Sequence, residues 1–179
     1  MPSVIETERL LLRLPEPRDL DSLHRAYADP EVMRHVGEGT PFSRKQTGWA
    51  FERFRQRWKL DGYGSFVIEL RDCGDAIGEA GLLAWDSQTW AYGLRSELGP
   101  EIELELGWTL ARDAWGRGYA TEAALAIRDW AFRELQPPRL ISMIYPANVR
   151  SQRVAQKIGE HLERDVVTAS GKETQLWST

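Results

Sequence analysis

A glycine-containing turn at residues 115–121, with the sequence WGRGYAT, is the stretch of this chain best suited to bind an anion. Residues 102–110 before it alternate apolar and polar side chains like a strand, and a helix-forming run follows it. The first N–H groups of a helix have no intrahelical partner and carry partial positive charge, so a phosphate can bind directly to the backbone there. Gly116 and Gly118 permit positive φ and close approach of a ligand. Alone, the pattern is a weak signal, because glycines also make ordinary tight turns.

Two well-known phosphate loops are excluded by the letters of this turn. The chain contains no G-x-x-x-x-G-K-[S/T] string, which a P-loop requires. A dinucleotide-binding fingerprint needs a third glycine or alanine three residues after Gly118, where this chain has Thr121. It also needs an early position in a βαβ repeat, whereas this turn lies past the middle of the chain.

Three carboxylates precede the turn on the same predicted strand. Glu101, Glu103 and Glu105 are spaced by two residues, which places them on one face of a strand. Neighbouring carboxylates raise one another's pKa and attract a cationic amine, so one of them could act as a general base. The same spacing is also typical of a solvated strand face, and both interpretations are open at this point.

The composition gives little support for a disulfide or a metal site. Cys73 is the only cysteine, which excludes an internal disulfide and a multi-cysteine zinc site. His24, His35 and His161 are scattered among different predicted elements, so no metal site is expected.

The bulk numbers favour one folded domain over residues 1–179. Hydrophobic residues make up 42% and charged residues 28% of the chain, which is ordinary for a globular protein. The net charge of −4 argues against nucleic-acid binding. No apolar run approaches the length of about 20 residues that a membrane span requires, and the N-terminus does not resemble a secretory signal. We therefore expect a cytoplasmic protein with no membrane or nucleic-acid partner.

The pattern of periodicities predicts an α+β fold with a strand–helix–strand unit at its centre. Strands are predicted at 8–14, 64–70, 76–85, 102–110, 139–145, 161–167 and 172–178. Helices are predicted at 17–28, 29–36, 43–62, 119–135 and 148–159, with Trp49, Phe51, Phe54 and Trp58 as the apolar stripe of the third. Residues 86–100 form a long polar and aromatic loop, a length at which loops are often functional.

Three spaced motifs together resemble the GNAT superfamily of N-acetyltransferases, and in particular its ribosomal-protein alanine acetyltransferase branch. They are ELGW at 105–108, WGRGYATEA at 115–123, and Asn148 followed by the helix end KIG at 157–159. The superfamily's loop pattern, [Q/R]-x-x-G-x-[G/A], is kept at 115–120 except that Trp115 stands at its first position. The resemblance covers roughly the whole chain. It implies a mixed, mostly antiparallel central sheet of about six to seven strands with helices on both faces.

The resemblance also implies an activity and a cosubstrate. The chain is expected to move an acetyl group from acetyl-CoA to a primary amine, either a protein N-terminus or a small molecule, by direct attack on the thioester. An alternative is a coenzyme A-binding sensor or interaction module that has lost catalysis. Trp115 and the absence of the usual tyrosine favour this alternative, whereas Glu105 and Ser151 favour the enzyme. A monomer or a homodimer is expected.

Residue roles follow from the same resemblance. The backbone amides of the loop are expected to hold the pyrophosphate, the strand end to pair with the pantetheine arm, and Asn148 to cap the following helix and contact the pantetheine. The coenzyme-binding set is Trp108, Thr109, Leu110, Trp115, Gly116, Arg117, Gly118, Tyr119, Ala120, Thr121, Asn148 and Ser151.

The resemblance also points to candidate catalytic groups. Glu105 is the first candidate for the base and Glu103 the second. The superfamily's usual acid, a tyrosine seven residues after the asparagine, is Ala155 here. Ser151 is therefore the first candidate for the acid and Tyr145 the second. A further departure is Glu160, where relatives usually have phenylalanine.

The acceptor is expected to bind between the early helices and the closing hairpin. His35, Trp49, Trp90 and Tyr92 are the candidate walls. A cation beside aromatic faces and the Glu103/Glu105 pair gains electrostatic attraction. The sequence thus predicts a primary amine with an apolar or aromatic neighbour, preferred over neutral alcohols and carboxylate-rich compounds.

Overall fold

The computed structural model describes residues 4–179 and shows one continuous mixed sheet flanked by helices. The helices are α1 (Leu20–Tyr27), α2 (Pro30–Met33), α3 (Arg44–Leu60), α4 (Tyr119–Glu134) and α5 (Val149–Lys157). The strands are β1 (Val4–Glu6), β2 (Leu10–Arg13), β3 (Ser65–Leu70), β4 (Ala76–Asp86), β5 (Tyr92–Gly93), β6 (Ile102–Leu110), β7 (Ile141–Ile144), β8 (His161–Val167) and β9 (Glu173–Ser178).

The strand order across the sheet is β1-β2-β3-β4-β6-β7-β9-β8, and β5 pairs with the end of β4. Every pairing is antiparallel except that of β6 with β7. The predicted mixed, mostly antiparallel sheet is confirmed, with nine strands in the described residues where six to seven were expected. The two missed strands, β1 and β5, have three and two residues, too few to show a periodicity of their own.

Helices cover both faces of the sheet, as expected, because β4 and β6 alternate between two apolar layers. Ala80, Leu82 and Leu106 point to one face and pack in a single core cluster with Ile127 and Trp130 of α4. On the opposite face the hydroxyl of Tyr27 in α1 donates a hydrogen bond to Glu79 of β4 at 3.1 Å. This second face, beneath α1 and α3, is where the polar side chains of the sheet collect.

Helix α3 begins in a capping box, in which the Gln46 N–H donates to Ser43 Oγ and the Ser43 N–H donates to the Gln46 side chain. Phe51, Phe54 and Trp58 are buried as predicted, but Trp49 is 62% exposed. The expected stripe is wrong at Trp49 because residues 47, 51, 54 and 58 follow the helical period, and residue 49 faces away from them. Thr47 and Arg57 are buried in its place.

The parallel strands β6 and β7 diverge soon after they meet. Glu105 and Ile141 form the register pair between them. One residue further along, Ser142 Oγ donates to the carbonyl of Leu106 at 2.7 Å and marks the point of divergence. Beyond it, residues 107–110 pair with β4 on one side only, so their other backbone edge faces the gap.

None of the helices in residues 4–179 has both the length and the apolar character needed to cross a bilayer.

Candidate active site

The glycine turn has the geometry of an anion-binding helix start. Gly116 and Gly118 have φ of +76° and +82°, and Gly118 is the N-cap of α4 without a side-chain cap. A Cβ added at Gly116 would meet no atom within 4 Å, and one at Gly118 would meet only the Arg9 guanidinium, at 3.4 Å, so the space over Gly116 is open. The first N–H groups of α4 therefore point into open space with no partner in their own helix.

Side chains from the N-terminal strands fix this turn in place. The carboxylate of Glu122, in the first turn of α4, accepts hydrogen bonds from the Thr7 hydroxyl at 2.6 Å and the Arg9 N–H at 2.9 Å. The Arg9 guanidinium also pairs with Glu122 at 2.6 Å and donates to the carbonyl of Arg117 at 2.9 Å. These contacts join residues more than 100 positions apart, which is why sequence patterns did not reveal them.

Trp115, the departure from the superfamily pattern, has a structural role in the turn. Its indole N–H donates to the carbonyl of Leu110 at 2.8 Å, which ties the end of β6 to the turn. The guanidinium of Arg150 in α5 lies over the ring, 4.5 Å from its centre. The tryptophan thus links the two elements that border the gap between β6 and β7.

Asn148 caps α5, as the sequence predicts, and positions a hydroxyl beside the gap. Its side-chain oxygen accepts from the Ser151 N–H at 3.2 Å, and its side-chain N–H donates to Ser151 Oγ at 3.0 Å. Because the serine oxygen already accepts a hydrogen bond, the serine proton is available for another acceptor.

A cleft of about 480 Å³ runs from this gap across the polar face of the sheet. Its floor includes Glu79, Trp85, Glu105 and Thr109, and the α3 side chains above it include Arg53 and Arg57. Asn148, Ser151 and Tyr145 line its end at the gap. The structure thus brings together the predicted catalytic residues Glu105, Ser151 and Tyr145.

Glu105 is the buried carboxylate at the centre of the cleft. It accepts hydrogen bonds from Trp85 Nε1 at 2.5 Å and from the Met143 N–H at 3.3 Å. Burial raises the pKa of Glu105 to about 7, although both hydrogen bonds and the charge of Arg57 favour the ionised form. A carboxyl with this pKa can accept a proton at neutral pH.

Glu103 lies on the same strand face but is held by a cation. Arg139 donates two hydrogen bonds to its carboxylate, at 2.5 and 3.1 Å, and also binds Glu163 at 2.7 Å. Glu103 does not line the cleft. Its placement supports Glu105 over Glu103 as the base.

The hydroxyl of Tyr145 is also engaged. It donates to the carbonyl of Gly37 at 2.8 Å, and Lys172 donates to the same carbonyl at 2.6 Å. These bonds attach the loop after α2 to the end of β7 and to the closing hairpin. Tyr145 therefore shapes the wall of the cleft, and its proton is directed away from the gap.

Of the four predicted acceptor walls, the structure places two at the cleft. His35 and Tyr92 line it, and burial lowers the pKa of His35. Trp49 lies on the outer side of α3 with the Lys45 ammonium 5.0 Å from its ring centre. Trp90 packs instead against Ile141, Val166 and Leu176, because pairing of β4 with β5 folds the start of the long loop back along the sheet.

Comparison with known proteins adds a family to this geometry. The family model described as an acetyltransferase (GNAT) domain matches residues 9–161. The chain belongs to the GNAT acetyltransferase family. YnaD of Bacillus subtilis, an uncharacterized N-acetyltransferase, is 30% identical over 173 residues, which cover 97% of this chain and 91% of YnaD.

Solved structures agree with this assignment. An acetyltransferase from Agrobacterium tumefaciens is 32% identical with a TM-score of 0.79, and the match covers 100% of this chain and 94% of that one. RimL, a ribosomal alpha-N-protein acetyltransferase in complex with coenzyme A, shares the fold at 14% identity, with a TM-score of 0.76 over 98% of this chain and 97% of that chain.

The residues of this GNAT acetyltransferase fit the coenzyme. The open space over Gly116 and the free first N–H groups of α4 suit a pyrophosphate, and the unpaired edge of β6 suits an extended arm with amide groups. In the described residues 4–179, no three His, Cys, Asp or Glu side chains lie close enough to hold a metal ion.

Sequence reasoning missed three residues of the cleft. Glu79 and Trp85 sit on the long, mostly buried strand β4, where the sequence indicated only a hydrophobic element. Arg57 stands in a helix rich in exposed charges, and nothing in its local pattern distinguishes it. Its helical spacing from Phe54 and Trp58, which the sequence does show, was the one available signal.

Proposed function

We propose that this protein transfers the acetyl group of acetyl-CoA to a primary amine by direct attack of the amine on the thioester. The observation that carries the proposal is the position of Glu105, a carboxyl with a pKa of about 7 in the cleft that opens at the divergence of β6 and β7. This position supports Glu105 as a general base next to the place where the resemblance to GNAT enzymes puts the acetyl group of the cosubstrate.

The loop and the strand edge hold the cosubstrate in this proposal. The turn and the start of α4 bind the pyrophosphate through the backbone amides of Arg117, Gly118, Ala120 and Thr121. The edge of Trp108, Thr109 and Leu110 pairs with the pantetheine. Acetyl-CoA supplies a thioester whose carbonyl carbon an amine can attack. Attack forms the C–N bond and breaks the C–S bond: the amine proton passes to Glu105, and the coenzyme thiolate leaves with a hydrogen bond from Ser151 and takes its proton from solvent.

Glu105 removes the proton from the attacking amine. An alkyl ammonium has a pKa of about 10 and does not react as a nucleophile until it loses a proton. At neutral pH about half of the Glu105 side chains are ionised, so the group can first attract the ammonium and then accept its proton. Trp85 and the Met143 N–H fix the orientation of the carboxylate.

Ser151 supplies the hydrogen bond to the departing sulfur. Its oxygen accepts from Asn148, which leaves its own proton free, whereas the Tyr145 proton is donated to Gly37. The hydroxyl is a weak acid, and its contribution is a hydrogen bond to the thiolate rather than full proton transfer.

Amine-dependent release of free thiol from acetyl-CoA tests the proposal. The wild-type protein is incubated with acetyl-CoA and a panel of primary amines, and acetyl-CoA binding is measured in parallel by calorimetry. We expect thiol release that depends on one class of amine and falls at least 100-fold in Glu105→Gln. Tight binding of acetyl-CoA without release for any amine would instead support the coenzyme-binding sensor, which the exchange of the usual tyrosine for Ala155 favours.

A further inference from the structure

Arg57 is a buried arginine that faces the cleft without an ion-pair partner. Its residue is only 6% exposed, it lines the cleft, and its Nε–H is buried with no hydrogen-bond acceptor. Within residues 4–179, the ion pairs of α3 are made by Arg44, Arg53 and Arg55, and none includes Arg57. A buried unpaired charge is costly for a fold, so its position needs an explanation.

The acidic side chains nearby already have other donors. Burial raises the pKa of Glu79, while hydrogen bonds from the hydroxyls of Ser65, Tyr27 (at 3.1 Å) and Thr109 favour its charged form. Glu105 is held by Trp85 and the Met143 N–H. The neighbouring Arg53, one turn earlier in α3, pairs with Glu97. Arg57 is the cation of this cleft whose donors are still available.

The two acidic groups lie on either side of an open part of the sheet. Glu79 is opposite Thr109 and Glu105 is opposite Leu83, four residues apart along the strands, which corresponds to about 13 Å. Gly107 lies between them on β6, and a Cβ there would touch only the Glu105 side chain. Arg57, Gly107 and both carboxylates line the same cleft.

We propose that the acceptor amine also carries a carboxylate, which Arg57 binds while Glu105 receives the ammonium. A guanidinium offers a planar pair of N–H donors that matches the two oxygens of a carboxylate. The chemical class is a zwitterionic amine, whose sources are a free amino acid or a peptide with an acidic first residue. This inference rests on the proposed transferase function and names its substrate. It replaces the sequence-based preference against carboxylate-rich acceptors.

Matched pairs of acceptors test the proposal. Each pair has the same chain length and differs in one carboxylate. This carboxylate is the terminal group in 4-aminobutyrate against butylamine, and the first side chain in aspartyl-glycinamide against alanyl-glycinamide, whose C-termini are blocked. We expect kcat/KM to be at least tenfold higher for the carboxylated member of one pair. A preference within the first pair would indicate a free amino acid, and a preference within the second a peptide with an acidic first residue. In Arg57→Gln the ratio within that pair falls to near one, through KM rather than kcat.

Two further variants control this experiment. Arg57→Lys keeps the charge without the planar pair of donors and is expected to retain part of the preference. Arg55→Gln removes an exposed arginine of the same helix and should leave the ratio unchanged. Because Glu105 acts on both members of a pair, any change in its ionisation cancels in the ratio. Equal use of both members by the wild type, or an unchanged ratio in both Arg57 variants, overturns the inference.

A binding measurement separates this proposal from the transferase function itself. Saturating 4-aminobutyrate or aspartyl-glycinamide should raise the melting temperature of the wild type but not that of Arg57→Gln. If one of them binds through Arg57 and no amine is acetylated, the zwitterion site stands and the proposed function fails. If amines are acetylated but neither zwitterion binds, the zwitterion site fails and the transferase stands.

Discussion

At the scale of single residues, the chemistry depends on which protons are already committed to hydrogen bonds. The Tyr145 hydroxyl donates to Gly37, whereas the Ser151 oxygen accepts from Asn148 and keeps its proton free. Neither assignment follows from residue type, because both side chains carry one hydroxyl. The surrounding hydrogen bonds therefore decide which of them can assist the leaving thiolate.

Substitution of these two hydroxyls should give unequal losses. We expect Ser151→Ala to lower kcat about tenfold while the dissociation constant for acetyl-CoA changes by no more than a few fold, because the hydrogen bond forms mainly as charge develops on sulfur. Tyr145→Phe should lower kcat less. Steady-state kinetics with calorimetry for binding measures both effects. A larger loss in the tyrosine variant with an unchanged serine variant would reverse the assignment.

At the scale of elements, the start of α4 is the proposed anion site, and a charge placed in its first turn tests it. A substitution at Gly118 would strain a backbone with φ of +82°, so loss of binding there would be ambiguous. Ala120 has ordinary helical geometry in the first turn of α4. An acidic residue there interacts favourably with the positive end of the helix dipole but repels a pyrophosphate.

Ala120 is half-buried against the core, so we expect Ala120→Asp to lower the melting temperature somewhat. At temperatures where the variant is folded, it should bind acetyl-CoA at least about tenfold more weakly, or by about 1.4 kcal/mol. Ala120→Ser, which adds a small side chain without charge, is the matched control and should bind nearly as tightly as the wild type. Calorimetric titration measures the affinities and thermal unfolding the stability. Undiminished binding by the aspartate variant would place the pyrophosphate elsewhere.

The elements that the sequence predicted well are those whose signals are local. The glycine turn and the cap at Asn148 each depend on residues within a few positions of one another. Trp49 was misplaced because hydrophobicity suggested burial where the helical period points outward. The pairing of Arg9 with Glu122 and of Arg139 with Glu103 joins distant segments, and no local pattern contains that information.

At the scale of the whole molecule, the fold buries carboxyl groups on both faces of the sheet. Glu79 and Glu105 lie in the cleft, and Glu160 is 4% exposed on the other side. Ser142 Oγ lies 2.7 Å from the carbonyl of Leu106 and 3.1 Å from the Glu160 carboxyl, and its single proton fully satisfies only one of these acceptors, so a proton on the carboxyl completes the second hydrogen bond. Burial raises the pKa of Glu160 to about 7, consistent with a protonated group. The polar residue that replaces the expected phenylalanine is thus accommodated as a neutral acid.

This arrangement predicts how stability varies with pH. The folded state holds a proton on Glu160 up to about pH 7, whereas the unfolded chain releases it near the ordinary value of 4.5, so stability falls as pH rises between these values. Glu160→Gln keeps a donor for Ser142 and needs no proton. We expect this variant to be more stable than the wild type at pH 8 by about 3 kcal/mol, with the difference vanishing towards pH 4.5.

Urea unfolding at several pH values measures this difference. The exposed Glu173→Gln is the control for loss of a negative charge and should show no comparable gap. A constant difference between Glu160→Gln and the wild type at all pH values would show that Glu160 is not a protonated buried acid.

The pH dependence of acetyl transfer tests the central assignment, Glu105 as the base, most directly. The quantity measured is kcat/KM for the acceptor, which reports groups of the free enzyme, with an amine whose pKa of about 10 lies well above that of the base. The wild type should show a rate that rises with pH and is half-maximal near pH 7, because only the ionised carboxyl accepts a proton. Glu103→Gln should keep the same rise of kcat/KM with pH, since Glu103 is held by Arg139 outside the cleft. In Glu105→Gln the rise with pH should disappear, and kcat/KM should fall by a factor of about 10² to 10⁴. A Glu105→Gln variant that retains the full rate at every pH would contradict the assignment.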